Sequence, residues 1–90
     1  MKLLIGAIVH FYTLDPARQF NGNGPGPYPA IVTQTWGSDV MANLKVLPGF
    51  GAVYDCGSVH HKDVPERAPL ADYWEWPPED VPRDQVRYAQ

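Results

Sequence analysis

Between Tyr28 and Val59 the apolar positions fall into three short runs, YPAIVTQTW, NLKVLP and VYDCGSV, separated by the breaks GSDVMA and GFGA. Short runs with period-two alternation, bounded by Gly, Pro, Ser and Asp, read as strands joined by turns. An earlier run over residues 3–13 supplies another strand, with Gly6 as a bend. After it Ala7, Val9 and Phe11 alternate with Ile8, His10 and Tyr12. Both of its faces are apolar or aromatic, so this strand is covered on both sides or lies in an interface. His10 is its one polar interruption, read as a half-buried histidine satisfied by a neighbour.

The second strand is expected over residues 29–36. Ile31, Thr33 and Thr35 share one face, and Ala30, Val32, Gln34 and Trp36 share the other. Ala30, Val32 and Trp36 are favoured as the inward set. A third strand over residues 41–47 turns Leu44 and Val46 inward. A fourth covers residues 52–56, ended by Gly57 ahead of residues 58–61. The pattern predicts a mainly β fold: a small SH3-like barrel, or an antiparallel meander of four or five short strands in an open sheet paired across a dimer.

Residues 15–29, DPARQFNGNGPGPYP, form a long connection rich in turn chemistry. GNGPG is neither the P-loop nor the dinucleotide fingerprint, and no helix follows to offer its N-terminus to a phosphate. Loops of this length in compact domains are often functional, so Arg18 and Phe20 become candidates for ligand contact. Residues 63–90 differ in kind. Pro65, Pro69, Pro77, Pro78 and Pro82 forbid a long helix or a central strand. The chain therefore divides into a β domain over residues 1–62 and an extended acidic, aromatic arm over residues 63–90, with a helical turn at 68–73 or 80–86. Tyr73, Trp74 and Trp76 anchor that arm on its own barrel or on a neighbouring copy.

Ninety residues make one domain with a modest core, for which pairing with another copy is a common remedy. The net charge of −3 is uneven. Residues 1–62 carry four Lys and Arg against three Asp, and residues 63–90 carry three Arg against seven carboxylates. Without clustered cations, broad attraction to a nucleic-acid backbone is not expected. The single Cys56 forms no internal disulfide, which suits a reducing cytoplasm. No apolar run reaches membrane-spanning length, and MKLLIGAIVHFY reads as a strand and not as a leader.

Candidate chemistry is sparse. Cys56, His60 and His61 lack the second ligand pair of a zinc site, and adjacent histidines on a strand face opposite ways. A Cys–His nucleophile would need an orienting acid that no spacing singles out. The acid pairs Asp72/Glu75 and Glu79/Asp80 read as solvated surface. No catalytic, metal or cofactor set emerges.

PAIVTQTW, a short turn, NLKVLPGFG, then Asp55, Ser58 and Val59, and a closing WEWPPE together resemble a type of small accessory protein encoded by tailed bacteriophages. The likeness covers residues 28–62 and 74–79. It implies a viral, non-enzymatic protein in the cytoplasm of the infected bacterial host, with virion association as an option. One such role is an oligomeric sponge whose inter-subunit pocket sequesters a nucleotide-derived immune signal, a form of anti-defence. Such a pocket wants aromatic faces and a few polar or cationic groups; Tyr12, Arg18, Phe20, Tyr28, Tyr54, His60, His61 and Lys62 are the candidates. The alternative is a structural or assembly accessory that docks on other phage or host proteins through an exposed strand edge and its aromatic arm.

Overall fold

The computed structural model describes residues 2–21, 24–65 and 71–78, apart from the side chains of Phe20 and Asn21. Among these described residues five strands form: β1 (Ile8–Tyr12), β2 (Tyr28–Gln34), β3 (Met41–Val46), β4 (Tyr54–His61) and β5 (Tyr73–Glu75), with a 3-10 turn at Arg18–Asn21. They close in the order β1-β2-β3-β4-β5. β5 shuts the barrel by pairing antiparallel with β1 and parallel with β4. This is a small SH3-like barrel. Each strand pairs with two neighbours, so the exposed edge expected as a docking device is closed off, and so is strand pairing with another copy across an open sheet.

Alternation places the core. Val9 and Phe11 of β1, Tyr28, Ala30 and Val32 of β2, and Ala42, Leu44 and Val46 of β3 point inward with Cys56, Val59 and Trp74. Trp74 is the largest fully buried side chain, and its indole N–H donates to the Val40 carbonyl at 3.1 Å. Trp76 and His61 meet its ring edge-on, at 5.3 and 4.8 Å between centroids. The segment read as an arm therefore contributes a strand and the central core residue. Tyr73, expected to end a helical turn, lies in that strand, while Ala68–Leu70 and Asp80–Val86 lie outside the described residues.

Trp36 is not inward. β2 ends at Gln34, and a bulge at Thr33 breaks the strand's alternation before Trp36 is reached. Trp36 occupies a turn instead, at φ 53° and 53% exposed. Gly57 does not end β4. Gly57 and Ser58, the latter at φ 55°, bulge opposite Asn43, and the strand continues to His61. Asn43 secures both bulges: its side-chain oxygen accepts from the Ser58 N–H at 2.8 Å, and its carbonyl accepts from the Thr33 hydroxyl at 3.1 Å. Bulges raise local twist and bend a strand, which helps five short strands curve shut.

Candidate functional site

The long β1–β2 connection folds back on the barrel. Thr13 N–H bonds the Pro25 carbonyl at 2.8 Å, and the Tyr28 hydroxyl reaches the carbonyls of Gly24 and Arg18. Arg18 then fastens the 3-10 turn to the opposite wall. Its guanidinium lies 3.2 Å from Asp72, 3.0 Å from the Cys56 sulfur and 4.8 Å from the centre of the Tyr54 ring. Asp72 also accepts the Leu14 N–H at 2.9 Å. Beside them opens a cleft of about 290 Å³, lined among the described residues by Arg18, the Asp55–Val59 stretch, Ala71 and Asp72.

The groups in this cleft answer one another. Arg18 is held by Asp72 and, at 3.9 Å, by Asp15. Burial pushes the Cys56 thiol up, outweighing the guanidinium that favours the thiolate, so the sulfur stays protonated at neutral pH and is a poor nucleophile. The Tyr54 hydroxyl is buried without a hydrogen-bond partner among the described residues, and desolvation raises it to about 12. The arrangement fits a structural clasp.

A second constellation lies on the outside of the wall made by β4, β5 and β1. Strand register sets it. His60 pairs with Tyr73 and Tyr73 with Tyr12, which puts Met41, His60, Tyr73 and Tyr12 in one outward row. The next row carries Lys62, Glu75, His10 and Pro29, since Lys62 N–H bonds the Trp74 carbonyl while Glu75 pairs with His10 and His10 with Pro29. Tyr12 and Tyr73 stack at 4.9 Å and 15° between planes. Gly26 is what lets the loop pass this close. A Cβ there would stand 2.7 Å from the Phe11 carbonyl and 3.0 Å from the Tyr12 ring, at φ +132° that only glycine adopts readily.

Glu75 ties the two rows together. Lys62 lies 3.0 Å from it, and the Tyr12 hydroxyl also bonds it. Partial burial alone would raise the Glu75 carboxyl, but hydrogen bonds from Lys62 and Tyr12 hold it below its usual value. Desolvation and the bond to Glu75 push the Tyr12 phenol up to about 12. His10 is half-buried in this row opposite Glu75, and its Nδ1 has no hydrogen-bond partner among the described residues.

The structure thus sorts the eight ligand candidates. Tyr12, His60 and Lys62 share the outer face. Arg18 lines the cleft, Tyr54 lies beneath the Arg18 guanidinium without lining the cleft, and Tyr28 is fully buried with its hydroxyl committed to the loop. His61 points inward against Trp74 and accepts the Asp63 N–H at 3.1 Å. The Phe20 side chain lies outside the described residues. No single pocket gathers them. Tyr73, Glu75 and His10 join the outer face without having been candidates for it; only the strand register of β5 could have revealed them. Asp72 and Glu75, read as one solvated pair, sit in different places and each holds a cation. Among the described residues no three His, Cys, Asp or Glu side chains converge on a metal-sized site, and no helix is long and apolar enough to cross a membrane. The chain matches no known protein family, and no curated protein or solved structure is similar enough to lend it an activity or a site.

Proposed function

We propose that this chain is a non-enzymatic binding protein whose working surface is the outer face of β4, β5 and β1, and that its ligand is a flat-ringed, weakly charged molecule of the cyclic-nucleotide class. The observation that carries the reading is the Tyr12–Tyr73 stack, set in one row with His60 and beside Lys62. Ring faces of this kind hold nucleobases by stacking, at about 1–3 kcal/mol per base. The unpartnered His10 Nδ1 in the adjoining row is a buried polar atom with no structural use among the described residues.

Charge narrows the ligand. Lys62 is engaged by Glu75, Arg18 by Asp72, and Lys45 by Asp55 at 2.6 Å. A phosphodiester with one charge asks less of such a surface than an open polyphosphate would. In the phage setting that the sequence resembles, this is the sponge role, in which a host immune signal is held and not turned over. The second reading, a structural or assembly accessory working through protein contacts, gains from the same ion pairing, because a charge-balanced aromatic wall also suits a protein partner.

Thermal unfolding of the full chain against a panel of cyclic mono- and dinucleotides and ADP-ribose derivatives tests the choice. The sponge reading expects one ligand to raise the Tm in a concentration-dependent way and to be recovered intact. If none moves the Tm while the protein co-purifies with virions, the accessory role replaces it.

A further inference from the structure

The outer face and the cleft leave one feature unused, the far end of the barrel, where β2 gives way to β3. Two turns meet there. Residues 4–7 form one, closed by the Ala7 N–H to the Leu4 carbonyl at 3.0 Å, and residues 35–38 form the other, closed by the Ser38 N–H to the Thr35 carbonyl at 2.9 Å. Gly6 N–H bonds the Val32 carbonyl at 2.8 Å, and Leu3 N–H reaches the Asp39 carboxylate at 3.3 Å, so the two turns stand side by side. Among the described residues eight large hydrophobic side chains are exposed, and Leu4, Ile5, Ile8, Trp36 and Val40 belong to these turns or the strand start beside them. Ile5 is 69% exposed.

The turn at Trp36 is chemically unexpected. Trp36 and Gly37 have φ of 53° and 78°, the type I′ signature, which favours Asn or Asp before Gly. A bulky side chain at positive φ is an outlier that local energetics disfavour. Strain of this kind concentrates where a side chain is wanted for contact, and here it holds an indole out in solvent. Tryptophan is also the residue most enriched at the energetic centre of protein interfaces.

We infer that this apolar end is the contact through which two copies of the chain associate, with Trp36 as its anchor. Three observations select a second copy as the occupant. The closed barrel rules out association by strand pairing, so a side-chain surface must serve. The five side chains present on the order of 500 Å² per copy, so two facing copies bury about 1,000 Å², the lower bound of a specific interface. The rim is self-complementary: exposed Lys2 and Asp39 lie side by side there, next to the Leu3 N–H bond to Asp39, so each copy offers a cation and a carboxylate to the other across a two-fold axis. The surface is separate from the Tyr12–Tyr73 face, and the inference holds whatever that face binds.

Sedimentation velocity of the full chain over a dilution series tests it, alongside Trp36→Asn and Ile5→Lys. Asn is at home at positive φ, so Trp36→Asn keeps the turn and leaves the monomer at least as stable, while Ile5→Lys alters only an exposed turn position. The wild type is expected to form a dimer that dissociates on dilution, and each variant to weaken it by about tenfold or more. A wild type that stays monomeric at every concentration, or a dimer that both variants leave unchanged, overturns the inference.

Discussion

Tyr12 stacks on Tyr73 across the antiparallel β1–β5 pair, at 4.9 Å between ring centres, and Gly26 of the long loop borders the Tyr12 ring. The loop, the first strand and the last strand therefore meet at one pair of rings. Gly26→Ala puts a methyl 2.7 Å from a backbone oxygen that cannot swing aside, at a φ that alanine resists. It is expected to cost about 1–3 kcal/mol in urea unfolding and to disturb the stack. Near-UV circular dichroism follows the tyrosines directly. An alanine variant with unchanged stability and unchanged tyrosine bands would show that the loop does not set the face.

Trp74 fills the centre of the barrel from a three-residue strand. Trp74→Ala should cost about 3–5 kcal/mol, a large share of the 5–15 kcal/mol typical of a domain. Truncation before Asp63 removes β5 and Trp74 together, and the shortened chain is expected to be unfolded. A soluble, cooperatively melting fragment 1–62 would mean that the first four strands close without the fifth.

These two cases mark how far the sequence could be read. The alternations at Val9/Phe11 and Leu44/Val46 identify core faces, because a strand buried on one side repeats every two residues. Trp36 breaks the rule, since the Thr33 bulge alters the phase, and a bulge is fixed by its partner Asn43 on another strand. β5 escaped for a similar reason. Three residues between prolines carry no period, and their place between β1 and β4 depends on the whole barrel returning to meet them. Tyr12, His60 and Lys62 were legible as candidates by residue type alone. Their grouping with Tyr73, Glu75 and His10 was not, because it follows from a parallel register of only two residue pairs.

Alkaline pH should loosen the barrel. Tyr12 and Tyr54 are raised from 10.0 to about 12, in both cases first by desolvation. Their folded pKa lies above the unfolded one, so the stability they contribute is complete below pH 10 and is lost as pH rises toward 12. Tyrosinate absorbance, compared with that of Tyr12→Phe and Tyr54→Phe variants, should show these two phenols ionising late, together with or after unfolding. Ionisation of Tyr12 and Tyr54 near pH 10, with the protein still folded, would refute this.

Acid acts through Glu75, whose folded pKa lies below its ordinary 4.5. The sign is opposite: the stability is present above the unfolded pKa and disappears as pH falls through the folded one. Glu75→Gln should therefore flatten part of the decline in Tm below about pH 5, and it releases Lys62 and the Tyr12 hydroxyl at neutral pH. If the wild-type and variant acid profiles superimpose, Glu75 does not link the two rows.

The central claim is that ligand meets the Tyr12–Tyr73 wall and not the Arg18 cleft. A heteronuclear NMR titration with the nucleotide that gives the largest Tm increase decides it. The account predicts amide and side-chain shifts concentrated at Tyr12, His60, Lys62, Tyr73 and Glu75, abolished by Tyr73→Ala in a chain that still melts cooperatively. Shifts centred on Arg18, Cys56 and Asp72, with the tyrosine wall silent, would contradict it.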